Sequence, residues 1–200
     1  MVDVGCGTGY GCKLLAEKAE IVYGIDRDAE AISYCQKHYS APNIKYFRMD
    51  AAPLGLDRQF DIVVTFQVIE HLVNPHGFIQ ELKRIVKSGG TIFISTPNVA
   101  TPSLGKDGNP FHLNEMSYTQ FRELLGKSFS SFEIVGIDYA SSKKLRSILA
   151  KMPFYRWGGL LKRSSGLKKM AGRALGLNSF RIIQTNIEQE AGDLLAVCHN

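Results

Sequence analysis

The chain has 200 residues, of which 44% are hydrophobic and 10% aromatic, and a formal net charge of +5. That length and apolar share suit one globular domain, 1–200, with a sizeable core. No run of 18 apolar residues reads as a membrane span, and the N-terminus lacks the layout of a signal peptide, which predicts a cytoplasmic protein. Cys6, Cys12, Cys35 and Cys198 form no C-x-x-C pair, so reduced thiols are expected rather than a disulfide framework or a zinc site.

The charge is unevenly spread. Residues 143–181 hold eleven Lys or Arg and no Asp or Glu, whereas the rest of the chain has 13 basic residues against 19 acidic ones. A mildly acidic body carrying a basic segment implies an anionic partner for that segment.

In chain order, Met1–Val4 reads as a short first strand, followed by a glycine-rich turn and a helix to about Lys18. Ile21–Ile25 is a second strand, and Asp28 caps a helix carrying Ala31, Ile32 and Cys35. Ile44–Arg48 and the nearly all-apolar Phe60–Phe66 are the third and fourth strands. Asn74 and Pro75 supply an N-cap and first helical residue; Phe78, Ile79, Leu82, Ile85 and Val86 form one face, and Gly89 is the expected stop. Thr91–Ser95 is a fifth strand. The Pro-, Gly- and Asn-rich stretch 96–116 exceeds the usual loop length of such folds, which points to a functional loop. Ser117 with Gln120 makes a capping box, with Met116 and Phe121 at staple positions, so a helix runs to about Leu125. Phe132–Tyr139 and Leu194–Cys198 read as the last two strands, with the basic segment inserted between them. Alternating strands and amphipathic helices predict a parallel sheet covered on both faces.

The first turn, Val2 to Gly11, reads VDVGCGTGYG. A glycine-rich turn between strand and helix lets a ligand approach the backbone. Its register does not suit a dinucleotide fingerprint, because Tyr10 or Cys12 stands where the third glycine is needed, and no Gly-Lys pair makes a P-loop. Asp3, just before the glycines, would repel a pyrophosphate and attract an ammonium group. The ligand therefore carries a positive amino group.

Asp3-Val4-Gly5-Cys6-Gly7-Thr8-Gly9 resembles the first motif of the class I S-adenosylmethionine-dependent methyltransferases, an acid followed by G-x-G-x-G. The resemblance implies that Gly5, Gly7 and Gly9 hold the methionine part of the cofactor and that Asp3 serves its amino group. Asp26, with Arg27 beside it, falls where the family binds the ribose, and Asp50 with Ala51 where it meets the adenine. Gln67 and Val68 fall where the family lines the methyl-transfer site. Glu70-His71-Leu72 resembles the E-H-[LVI] signature of the branch containing ubiquinone-pathway O-methyltransferases. The likeness extends from about Val2 to Leu125. It implies a Rossmann-like, doubly wound, seven-stranded sheet, mostly parallel with the last strand antiparallel. Helices that precede the first strand in the family are missing here, since the chain begins inside that strand.

The implied reaction is methyl transfer to a small-molecule, sugar or lipid-linked acceptor, with O-methylation favoured. His71 and His112 are the candidate bases for a hydroxyl acceptor, since an imidazole titrates in the useful range. Glu70, His71, His112 and Glu115 are ligand-type side chains, but no helical i, i+4 pair is present, so no metal is expected. An alternative is a cofactor-fold binding protein that has lost catalysis. Within 143–181, apolar residues recur at helical spacing around PFYRWGGLLKR. This suggests either peripheral contact with an anionic membrane or a lid over the acceptor; no recognised module argues for nucleic acid.

Overall fold

The computed structural model describes residues 1–101, 110–139 and 180–200. The elements are β1 (Val2–Val4), α1 (Tyr10–Leu15), β2 (Val22–Asp26), α2 (Ala29–His38), β3 (Ile44–Arg48), β4 (Phe60–Phe66) and a 3-10 turn (Ile69–His71). There follow α3 (Pro75–Ile85), β5 (Val86–Pro97), α4 (Tyr118–Gly126), β6 (Ser131–Tyr139), β7 (Phe180–Ile183), α5 (Ile187–Glu190) and β8 (Asp193–His199).

The strands form one sheet in the order β3-β2-β1-β4-β5-β8-β6-β7. The pairs from β3 through β5 are parallel, while β8 runs antiparallel to both β5 and β6 and β7 runs antiparallel to β6. The doubly wound sheet and the reversed last strand match the expectation. The strand count does not: among the described residues there are eight. The extra strand, β7, sits at the end of the basic segment, where four residues offer too short an alternation to register. The rest of that segment, 143–179, lies outside the described residues.

Two element ends also differ. Helix α3 stops at Ile85 because Val86, fully buried, already pairs with Phe60 in the sheet. Gly89 therefore turns the backbone inside β5, at φ 73°, instead of ending the helix. Helix α1 ends at Leu15, short of Lys18.

The expected caps are in place. Asp28 accepts from Glu30 N at 2.8 Å, Asn74 Oδ1 from Gly77 N at 2.9 Å, and Ser117 and Gln120 close a reciprocal capping box. Each cap satisfies backbone donors that the helix leaves open and stabilises by about 1 kcal/mol.

Neighbouring residues of β2 divide between two apolar clusters, because successive strand side chains point to opposite faces. Val22 joins Cys12, Ile32 and Cys35 beneath α1 and α2. Tyr23 and Ile25 join Phe78, Ile79 and Leu82 of α3 in the larger cluster, which continues to Phe121 and Leu125 of α4.

Candidate active site

Strand order reverses between β1 and β4, where the connections leave the sheet on opposite sides and open a crevice at the strand ends. The glycine loop lies there. Gly5 has φ 80°, and a Cβ on it would stand 2.3 Å from Val68 Cγ2, so only glycine fits. Gly7 has φ 51°, with nothing within 4 Å of its missing Cβ. The space beside its Cα is open. Gly5 N and Cys6 N both donate to Ile25 O, at 2.7 and 2.9 Å, which ties the loop to the end of β2. Asp26 completes the clamp: Oδ2 accepts from Gly7 N at 2.8 Å and Oδ1 from Asp28 N at 2.9 Å.

A cleft of about 680 Å³ opens beside this loop. Gly5, Gly7, Asp26, Arg27, Asp50, Ala51, Gln67 and His71 all line it. These eight expected residues come together from four strand ends. Asp3, Gly9 and His112 are not on its wall. Asp3 lies beneath the loop, 7% exposed, and Oδ2 accepts from Cys12 Sγ at 3.4 Å. Burial pushes its carboxyl up to about 6, against the downward pull of the Cys12 hydrogen bond. Gly9 is the left-handed N-cap of α1. The fold adds Met49, Leu72, Val73, Asn74 and Phe111 to the lining. Val73 and Phe111 are 86% and 71% exposed, an apolar lip with no signal in the sequence.

The opposite wall is built by two segments about forty residues apart in the chain. After β4, Gln67 takes φ 57°, unusual for a residue with a Cβ, while its N donates to Ser95 O at 3.1 Å. Strain of this kind persists where surrounding contacts hold it. The turn that follows receives the loop 110–116. Leu113 N and Asn114 N donate to Glu70 O at 2.8 and 2.9 Å, and Asn114 Nδ2 donates to Leu72 O. His71 Nδ1 is 2.8 Å from Phe111 O, and His112 Nδ1 is 2.7 Å from Glu115 Oε1. The two imidazoles meet edge to face with centroids 4.8 Å apart.

Glu70 is fully buried behind them. Its Oε2 accepts from Thr96 Oγ1 at 3.4 Å, while Oε1 has no hydrogen-bond partner. Burial pushes this carboxyl above the usual carboxylate range. One donor atom each from Glu70, His71 and His112 lie within 4.8 Å of one another. The docked loop brings His112 to two side chains some forty positions earlier in the chain. Among the described residues, no helix is long and apolar enough to cross a membrane.

Comparison with known proteins agrees with this geometry. Residues 2–94 match the methyltransferase-domain family. A probable S-adenosylmethionine-dependent methyltransferase of Mycolicibacterium smegmatis is 39% identical over 127 residues, covering 62% of this chain and 49% of that protein. A ubiquinone biosynthesis O-methyltransferase of Pseudomonas fluorescens is 34% identical over 102 residues, covering 49% of this chain and 44% of the relative. The chain thus spans about half the length of the curated relatives it matches. A Thermotoga maritima structure, described as an S-adenosylmethionine-dependent methyltransferase and possible histamine N-methyltransferase, superposes with a TM-score of 0.66 at 17% identity, covering 99% of this chain and 80% of that one. Its identity is low enough that it speaks for the fold alone. The glycine loop and the strand-end acids thus lie within the stretch that matches the methyltransferase-domain family, and over 127 residues the chain is similar to an S-adenosylmethionine-dependent methyltransferase.

Proposed function

We propose that the chain binds S-adenosylmethionine in this cleft and transfers the methyl group to a hydroxyl of a small-molecule, sugar or lipid-linked acceptor. The observation that carries the reading is the pairing of walls. A glycine loop open at Gly7 and the acids Asp26 and Asp50 stand on one side, and the His71 turn on the other.

The cofactor supplies a methyl group on a sulfonium, ready for in-line displacement, so the protein's work is mainly positioning and exclusion of water. Asp26 accepts from the ribose hydroxyls with lone pairs left over from its two backbone amides. Asp50 accepts from the adenine amino group, with the Ala51 amide at the ring. The Asp3 charge, beneath the glycine loop, attracts the amino group, and Arg27 and Gln67 border the bound molecule. His71 or His112 takes the acceptor's proton. Hydroxyl acceptors are favoured by the Pseudomonas relative, whose name specifies O-methylation.

The basic stretch 143–181 supports peripheral contact with anionic lipid, each cation near such a surface contributing about 1 kcal/mol. Sedimentation with anionic but not neutral vesicles, reversed by salt, is the expected outcome; indifference to anionic vesicles removes that part.

The main test is calorimetry with S-adenosylhomocysteine, followed by an acceptor screen with radiolabelled cofactor. Saturable binding and label transfer are expected. Absence of cofactor binding to folded protein overturns the reading.

A further inference from the structure

We infer that Asn98 is a positioning residue: it ties the loop that forms the acceptor side of the cleft to the turn before the last strand, and so sets where Phe111 and His112 stand. Calling that side the acceptor side rests on the methyl-transfer reading; the clamp rests on geometry alone. Asn98 follows directly on β5 and is fully buried. A buried amide must find hydrogen-bond partners. This residue finds them in two directions.

Toward the C-terminal turn, Nδ2 lies 3.0 Å from Ala191 O, 3.1 Å from Glu188 O and 3.4 Å from Ile187 O. These carbonyls belong to α5 and its C-cap, the end at which a helix leaves acceptors unpaired. Nδ2 also donates to Thr101 Oγ1 at 2.8 Å, and the Thr101 hydroxyl donates in turn to Ala191 O. The backbone repeats the link, with Asn98 N donating to Gly192 O at 2.9 Å. Oδ1 accepts from Ala100 N at 3.2 Å, a local turn that aims the amide. An aspartate could make that turn, but its carboxylate would face three carbonyl oxygens with no donor between them.

Toward the cleft, Asn98 bridges to Met116 as a continuation of β5, and Val99 N donates to Met116 O at 3.1 Å. Met116 is buried and ends the stretch whose Leu113 and Asn114 amides reach Glu70 O and whose Phe111 O meets His71 Nδ1. The acceptor side thus takes its register from residues 187–192, which lie beyond the stretch 2–94 that matches the family. The cofactor side makes no use of this clamp, since its own contacts run from Gly5, Cys6 and Gly7 to Ile25 and Asp26. Loosening Asn98 should therefore free one wall and leave the other in place.

The test is amide hydrogen exchange of the full chain, read by NMR at Leu113 and Asn114 with Val64 and Ile94 of the sheet as internal reference. Asn98→Ala, and the milder Thr101→Val, should each lower protection at Leu113 and Asn114 at least about tenfold relative to the sheet, as expected for a local opening. Both should also move the His71 imidazole resonances and leave S-adenosylhomocysteine affinity unchanged. Should Asn98→Ala fail to fold, Thr101→Val decides. Asn43→Ala is the control, because Asn43 Nδ2 donates to Ala16 O and Ala19 O at 2.9 and 3.0 Å, a clamp of the same kind elsewhere in the fold. It should leave the relative protection at Leu113 and Asn114 as in the wild type. Wild-type protection at these two amides in folded Thr101→Val, or an equal loss in Asn43→Ala, overturns the inference. A wild-type chain that binds no S-adenosylhomocysteine removes the functional reading instead, and the clamp is then judged by the exchange data.

Discussion

The two walls of the cleft are built in different ways. The cofactor side, from Asp3 to Ala51, consists of strand ends and the turns directly after them, held by short backbone contacts such as Gly5 N to Ile25 O. The opposite side joins the turn after β4 to a loop forty residues later, through Glu70 O, His71 Nδ1 and Leu72 O. The first wall is fixed by the sheet itself. The second depends on the docked loop, so under the proposed function it is the side on which acceptor choice would vary without disturbing the cofactor.

The largest expected effect sharpens the first wall. Asp3 is buried with its carboxyl raised from 3.8 to about 6, so the folded state holds a proton that the unfolded chain releases. Stability therefore falls as pH rises from about 4 to about 6 and is flat above, by about 3 kcal/mol at roughly 1.4 kcal/mol per unit. Asp3→Asn should raise the unfolding free energy by about that amount at pH 7.5 and leave it unchanged at pH 4. The same variant should bind S-adenosylhomocysteine more weakly, because the charge that destabilises the apoprotein attracts the ligand's amino group. Denaturant titrations at both pH values, with calorimetry, check this; a variant no more stable at pH 7.5 would remove the account of the buried acid.

Asp26→Ala is next. It removes the proposed ribose acceptor and the Gly7 amide clamp together, and should weaken S-adenosylhomocysteine by about 1.5–3 kcal/mol, the range for hydrogen bonds to a charged group. Wild-type affinity by calorimetry would break the assignment. The smallest effect belongs to the second wall. His112→Ala should lower turnover at least tenfold, or about 1.4 kcal/mol, while cofactor affinity stays the same. A matching loss of cofactor affinity would show that the two walls are not independent.

Much of the first wall is legible along the chain because its determinants are local. Glycine spacing reports the left-handed turns at Gly5, Gly7 and Gly9, and Asp26 and Asp50 stand just past apolar strand runs. The helices α2, α3 and α4 were equally plain, since Asp28, Asn74 and Ser117 announce their starts. Ends were less so. Whether Val86 closes a helix or opens a strand depends on whether Phe60 is there to pair with it.

What the sequence by itself determined, then, is the order of strands and helices through α4, the glycine loop and the acids at the strand ends. Each follows from backbone geometry and hydrophobic period within a dozen residues. Only the tertiary structure decided that Asp3 lies under the loop and off the cleft wall, that β7 adds an eighth strand, and that Val73 and Phe111 form an exposed lip. It also decided that Glu70, His71 and His112 meet. Spacing along the chain separates His112 from the other two by some forty positions, and no local rule encodes which carbonyl a distant loop will find. That choice is made by the backbone groups of residues 70–72, which gain their partners only when residues 111–114 close over them.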